Sequence, residues 1–355
     1  MRRLPAHRVV LLGLIVAAVA PIASASPTSK SAEALRPPPP KVAKGWVVRG
    51  IAVYPKVISY WENNVRAAPV DPRSAELISF WNDQSSNPSI RFKGSTSGGV
   101  GKYSFATCYG TASDPVWAVT APSPTLHTFH VHCAPNNGSD LDIAPGDGTL
   151  VFFDLANKVM LQIAGSSANC DTDTHTCTGR SWDYRDWRGS DLRAGLDAKY
   201  NRRCPFCRGH RGLDSSVFGI RYDEAASGSI PHVIKITLPS DVNSSAYVYP
   251  YVAGESGKTG IIPEGTRVRL TKAAYDRLRP TITNPAARAI LDALYRYGAI
   301  TSDSGGTGIA IKLENGNGYQ WSDLGINADS LSAVKVTDFE VVQLAWDRAR
   351  VRKPK

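Results

Sequence analysis

Between residues 89 and 163 the chain repeats one pattern: short strand-like runs separated by turns rich in Gly, Pro and Asn-Gly. The runs lie at 89–93, 117–120, 125–132, 149–153 and 159–163. Runs of four to eight residues between turn signals read as strands, and the frequent turn residues keep each strand short. A chain so punctuated folds as mainly β structure, of the sandwich or jelly-roll-like kind, with two or three minor helices.

Two helices are legible. Asp71 is placed to cap, Pro72 suits the first helical position, and Leu77, Ile78 and Trp81 share a face, which predicts a helix over 72–81. Asn284 and Pro285 open a second, with Ile290, Leu291, Leu294 and Tyr297 on one stripe and Gly298 as its stop. Further strands are expected at 46–54, at 247–252 and at 262–270. Residues 299–302 and 308–313 read as the two arms of a hairpin.

The amino terminus has a different character. Arg2, Arg3 and Arg8 precede an apolar run at 9–20 and the small-residue site Ala23-Ser24-Ala25, the pattern of a secretory signal peptide over 1–25. A Pro-rich linker follows at 26–45, including four consecutive prolines at 37–40, with too little apolar surface to fold. The remainder, 46–345, reads as a single β-rich domain with an insertion at about 165–212, and 346–355 as a basic tail. Hydrophobic residues make up 42% of the 355, enough for a sizeable core, so disorder of the whole chain is excluded. No later segment is long and apolar enough for a membrane span, so a secreted, extracellular protein is expected.

The net charge of +10 falls to +7 without the three leader arginines. That balance suits an anionic cell-wall polymer or acidic polysaccharide, or simply a solvated surface, and nucleic acid is not the expected partner. Six cysteines, an even number, suit disulfides in an oxidising compartment. The short separations favour Cys170 with Cys177 and Cys204 with Cys207, which leaves Cys108 with Cys133. The alternative is a zinc ribbon from Cys170, His175, Cys177, Cys204, Cys207 and His210, which needs thiolates that an oxidising compartment does not leave. No cofactor and no metal are expected.

Residues 211–239 carry the candidate site. An apolar run at 217–220 leads into Arg221, a polar turn holds Asp223 and Glu224, and His232 opens an alternating strand that Pro239 ends. A cation, a carboxylate and an imidazole so close together suit acid and base chemistry at a glycosidic bond, or a lyase that neutralises an acidic sugar with Arg221 and uses His232 or Tyr249 as base. Asp140, Asp142, Asp147, Asp183 and Asp186 complete the pool of carboxylates. The bland alternative is a surface Arg221–Glu224 pair beside a satisfied strand histidine. Trp182, Tyr184 and Trp187, interleaved with charged residues, suit a stacking platform for sugar rings, or a cover for the disulfide-rich insertion. His130 and His132 share a strand face, a two-histidine metal site only if a carboxylate such as Asp140 approaches. Neither a Gly-rich phosphate loop nor a Gly-x-Ser-x-Gly nucleophile elbow occurs.

Four blocks, at 147–154, at 217–224 with 228–233, at 262–270 and at 285–290 with 295–298, resemble in order those of a family of uncharacterised exported bacterial β-rich (jelly-roll-like) proteins. The resemblance covers more than half of the chain beyond the leader. It implies a secreted protein patterned like polysaccharide-degrading or polysaccharide-binding jelly rolls, and no established reaction. Arg221 and His232 match the family pattern. Thr149 stands where the family's first block carries a histidine, so a mechanism built on two histidines would be impaired here or different.

Overall fold

The structure is a computed structural model that describes residues 47–48, 51–52, 64–93, 104–120, 126–131, 149–157, 159–164, 169–179, 181–186, 219–249, 251, 253–315, 321–344 and 346. All lie in the second of two compact units, Pro39–Lys355, the first being Met1–Pro38. The leader, the linker and all of the basic tail except Trp346 fall outside the described residues.

The fold is mainly β, in several mixed sheets. The largest runs β19 (Phe339–Val341), β15 (Arg267–Leu270), β16 (Ala299–Ser304), β12 (Ile234–Leu238), β17 (Ile309–Lys312), β3 (Ile90–Lys93). Alternation sets its inner face: Ile234, Ile236 and Leu238 of β12, with Ile90, Phe92, Val268, Leu270, Ile309 and Ile311, enter one core. Among the described residues, four α-helices accompany the sheets: α1 (Ser74–Gln84), α2 (Tyr222–Ser227), α3 (Lys272–Leu278) and α4 (Pro285–Arg296). On α4, Ile290, Leu291 and Leu294 join the same core, each contributing about 1.5–3 kcal/mol by leaving water. The Asn284 side chain accepts from the Ala287 amide at 2.9 Å, and Gly298 takes the left-handed conformation at φ 72° that ends the helix.

A second sheet has the order β11 (Ser181–Asp186), β8 (Val159–Ala164), β7 (Thr149–Asp154), β4 (Phe105–Gly110), β18 (Glu314–Asn315). A third runs β6 (Leu126–His130), β5 (Val116–Thr120), β10 (Thr176–Thr178), β9 (Asn169–Asp171). These two sheets share a separate core, in which Cys108, Leu150, Phe152 and Leu161 meet Trp117, Val119 and Phe129. Two strand pairs stand apart: β1 (Val47–Val48) with β2 (Ile51–Ala52), and β13 (Asn243–Tyr247) with β14 (Ile262–Glu264). No helix among the described residues is long and apolar enough to cross a membrane.

Several local expectations need correction. The arms expected as a hairpin at 299–313 do not pair: β12 inserts between them, parallel to β16 and antiparallel to β17. Local sequence fixes a turn, but the long-range partner with the better apolar face takes the ladder. The first helix begins at Ser74 and runs to Gln84, past Trp81. Asp71 does not cap it. Its carboxylate accepts from the Arg73 and Leu344 amides, tying the helix entry to the carboxyl-terminal segment. Residues 223–224 form part of α2 rather than a turn. The strand expected at 247–252 lies earlier, at β13, which ends at Tyr247, and the Tyr251 amide donates back to the Val248 carbonyl.

Candidate functional site

The chain passes from the large sheet to the second sheet within two residues, leaving β17 at Lys312 and entering β18 at Glu314. Between them Leu313 bridges Ile220 in parallel, which brings the start of α2 against the crossing point. Arg221, the next residue, caps α2: its backbone amide meets the Glu224 carboxylate at 3.4 Å, one half of a capping box. Local folding thus explains why Arg221 and Glu224 meet. His232 arrives from the other side, two residues before β12.

All three expected site residues converge, and all are buried: Arg221 is 1%, Glu224 4% and His232 0% exposed. The Arg221 guanidinium Nη2 donates to Glu224 Oε1. His232 Nε2 lies 3.1 Å from Glu224 Oε2, and His232 Nδ1 lies 2.7 Å from the Val233 carbonyl. Both ring nitrogens therefore lie within hydrogen-bond distance of an oxygen. Burial pushes the Glu224 carboxyl up, but Arg221 and then His232 outweigh it and hold it below the ordinary carboxylate range. The same carboxylate and Asp223, 3.6 Å away, overcome the burial of Arg221 and keep its guanidinium charged. The bland alternative of a surface Arg221–Glu224 pair does not hold, since both side chains are buried.

Sequence reasoning missed half of this cluster. Glu314 Oε1 accepts from the Thr107 hydroxyl and, at 3.3 Å, from the Tyr109 hydroxyl, and Oε2 accepts from the Tyr222 amide at 3.0 Å. The Glu314 carbonyl accepts from the Trp321 indole at 2.7 Å, and that ring meets Tyr222 edge-on at 5.5 Å. Burial, then the Glu314 charge, pushes the Tyr109 phenol well above its usual range, while Arg221 pulls the other way. One guanidinium thus acts electrostatically on both the Glu224 carboxyl and the Tyr109 phenol. Tyr222 and Asp223 are the partly exposed members of the cluster. The signal for Thr107 and Tyr109 was their alternation with Ala106 and Cys108 in β4, readable only once that segment is taken as a strand. Glu314 carried no signal beyond closing an apolar run.

Other candidates fall elsewhere. Trp182 and Tyr184 lie on β11, the edge strand of the second sheet, and Trp187 lies outside the described residues. Asp183 and Asp186 also lie on β11; Asp140, Asp142, Asp147 and His132 are outside the described residues. Tyr249 lies in the turn after β13. Thr149 is buried at the start of β7. His130 Nδ1 lies 2.9 Å from Asp154 Oδ2, a carboxylate that also accepts from the His130 and Asn157 amides. Cys170 and Cys177 are joined, facing one another across the β9–β10 pair with Cα atoms 4.1 Å apart, which removes both from any zinc ribbon. Cys108 is disulfide-bonded to a partner outside the described residues, where Cys133, Cys204 and Cys207 all lie. Glu255, Glu264 and Asp303 bring carboxylate oxygens within 4.8 Å of one another, with Lys258 3.3 Å from Glu255 and Lys235 3.7 Å from Asp303. Comparison with protein-family models, with curated proteins and with solved structures returns no match.

Proposed function

We propose that the chain is an exported carbohydrate-active protein that acts on extracellular or cell-envelope polysaccharide, with its acid–base groups at the crossing between the two sheets. The observation that carries this reading is the convergence of Arg221, Glu224 and His232 with Tyr109 and Glu314. Acid–base chemistry on a glycosidic bond needs one group that holds its proton and one that does not, and environments that drive two groups apart supply the assignment. Here Tyr109 is held protonated and Glu224 is held ionised, with Arg221 acting on both. Export is supported by the Cys170–Cys177 disulfide and the disulfide-bonded Cys108, since such bonds persist in oxidising compartments.

The test is a turnover screen of the purified chain against neutral and acidic polysaccharides, with Tyr109→Phe and His232→Gln in parallel. Wild type is expected to release product, and each variant to release about 10²–10⁴ times less while remaining folded. Product release unchanged in both variants, or none from any polysaccharide, would refute the reading.

A second reading is favoured by the near-complete burial of the trio: a non-catalytic envelope-associated glycan-binding or structural exoprotein, in which the Arg221 cluster braces the junction and Trp182, Tyr184 and Trp187 meet the glycan. It predicts binding without turnover, unchanged by His232→Gln.

A further inference from the structure

The third sheet has one open side. Trp117 and Val119 of β5 and Phe129 and Val131 beside them enter the core shared with the second sheet, so Val116, Ala118, Thr128 and His130 turn outward. Val116 stands opposite His130 in register, and Thr128 opposite Ala118. Val116 is 52% exposed and Thr128 is exposed as well. The face therefore offers an imidazole with an apolar side chain about 4.5–5.5 Å across the ladder from it.

The imidazole is held from behind. Strand β6 is the edge of its sheet, and beside it β7 ends in Asp154, whose side chain is fully buried. Asp154 Oδ2 accepts from the His130 amide at 2.8 Å and from Asn157 Nδ2 at 2.7 Å, and lies 2.9 Å from His130 Nδ1. Asp154 Oδ1 accepts from the Asn157 amide at 2.8 Å, and Asn157 Nδ2 lies 3.3 Å from His130 Nδ1. Burial raises the Asp154 pKa, but these bonds outweigh it and hold the carboxyl below its ordinary value. An ionised carboxylate only accepts, so Nδ1 carries the proton and Nε2 the lone pair. The backbone is fixed too: a Cβ at Gly110 would stand 1.8 Å from the His130 carbonyl oxygen, and the Val131 amide donates to the Pro115 carbonyl at 2.9 Å. Among the described residues Nε2 makes no hydrogen bond, and the His130 side chain is 18% exposed.

This pair is separate from the Arg221 cluster. Asp154 follows Phe152 on the face of the second sheet that meets the third, whereas Tyr109 stacks on Phe153 at 5.4 Å on the opposite face.

We propose that His130 and Asp154 form a second reaction centre, in which His130 is the general base for hydrolysis of short acyl esters and Asp154 is its positioning residue. Nε2 takes a proton from water as the water oxygen forms a bond to the ester carbonyl carbon. The tetrahedral intermediate then breaks its bond to the alkoxide, which takes the proton back from Nε2. The products are a carboxylic acid and an alcohol, and the imidazole returns to its neutral form. One imidazole serves both proton transfers of this reaction, whereas glycosidic cleavage needs two separate groups. Val116 is placed to meet the acyl chain. The buried carboxylate fixes the tautomer and stabilises the imidazolium that forms.

The experiment is steady-state hydrolysis of p-nitrophenyl acetate by the full chain, compared with His130→Gln, Asp154→Asn, Val116→Ser and His175→Gln. His175 is an exposed histidine that stacks on Trp117 at 5.2 Å, and its loss controls for the background rate of surface imidazoles. The expected result is saturable turnover, with kcat about 10²-fold lower in His130→Gln and at least about tenfold lower in Asp154→Asn. Val116→Ser should raise KM with kcat little changed, and His175→Gln should match wild type. Nitrogen-15 NMR reads the His130 tautomer directly: a proton on Nδ1 in wild type and a mixture of tautomers in Asp154→Asn, a change that a merely structural carboxylate would not make. Urea unfolding confirms that each variant is assayed folded. Wild type without saturable hydrolysis, a His130→Gln variant as active as wild type, an equal loss from His175→Gln, or a wild-type Nδ1 without its proton would each overturn the centre. Ester hydrolysis with this variant pattern but no polysaccharide cleavage would uphold it and refute the reading of the Arg221 cluster; the converse would overturn this centre alone.

Discussion

Replacing Arg221 by Met keeps the length and the apolar stem while removing the charge, and the buried geometry sets the cost. Truncating one partner of a buried ion pair typically costs about 3–5 kcal/mol, because the other charge is left without compensation. Here Glu224 keeps His232 at 3.1 Å, so the cost of Arg221→Met is lower, about 2–3 kcal/mol. Glu224→Gln leaves Arg221 with Asp223 at 3.6 Å, and its cost is similar, about 2–3 kcal/mol. Combining the two removes both charges, and the amide oxygen that Glu224→Gln introduces still accepts from His232, so the double variant costs about 2 kcal/mol in all. The singles therefore sum to more than the double, with a coupling of at least about 2 kcal/mol, as befits residues in direct contact. Equilibrium urea unfolding of the four proteins measures this as midpoint shifts at constant slope. Additivity within about 0.5 kcal/mol, or an Arg221→Met cost below about 1 kcal/mol, would show that the pair does not carry the junction.

Gly298→Ala should destabilise strongly, since φ is 72° and a Cβ would stand 2.3 Å from the Val268 carbonyl oxygen, whereas Gly228→Ala, at φ 73° with nothing within 4 Å, should cost only the left-handed penalty of about 1–2 kcal/mol; equal urea midpoints for the two would refute the distinction. Asn284→Ala removes the cap of α4 and the 2.7 Å bond from its amide to the Leu324 carbonyl, for a loss of about 1–2 kcal/mol by thermal or urea unfolding. Burial raises the Asp154 carboxyl, but the Asn157 and His130 amides outweigh it and hold its pKa below the ordinary value. A depressed folded pKa contributes stability that is present above the unfolded value of about 4 and lost as pH falls through the folded one. Urea midpoints should therefore drop as pH falls below about 4, and less steeply in Asp154→Asn; identical acid profiles for the two proteins would contradict the assignment.

What could be read from the sequence follows the range of the interactions involved. Helix α4 was legible because Asn284, Pro285, the apolar stripe and Gly298 all act within one helix. The short runs of β3, β7 and β8 between turn residues were legible for the same reason. The partner of β16 was not: Ala299 to Ser304 alternates no differently whether it pairs with β17 across a Gly-Gly turn or with β12 far earlier in the chain, and burial decides between them. Arg221, Glu224 and His232 could be singled out because they lie close together in the sequence. Glu314, Thr107 and Tyr109 could not, since Glu314 and the β4 pair lie more than two hundred residues apart in the chain and meet only in the fold.

The parallel bridge between Ile220 and Leu313 explains why the chemistry-bearing residues sit where they do. Both of its side chains point into the apolar core. Each is followed by a charged residue, Arg221 on one side and Glu314 on the other, that turns away from that core. A core contact thereby fixes the position of two buried charges in opposite senses, one at the head of α2 and one at the head of β18. Each then meets its own ring partner, His232 through Glu224 and Tyr109 directly. The same strand, one residue before the bridge, turns Lys312 to the outer face beside Lys93. Apolar packing at two residues thus sets the positions of both buried charges, which is why changes at Ile220 or Leu313 should disturb the charged cluster.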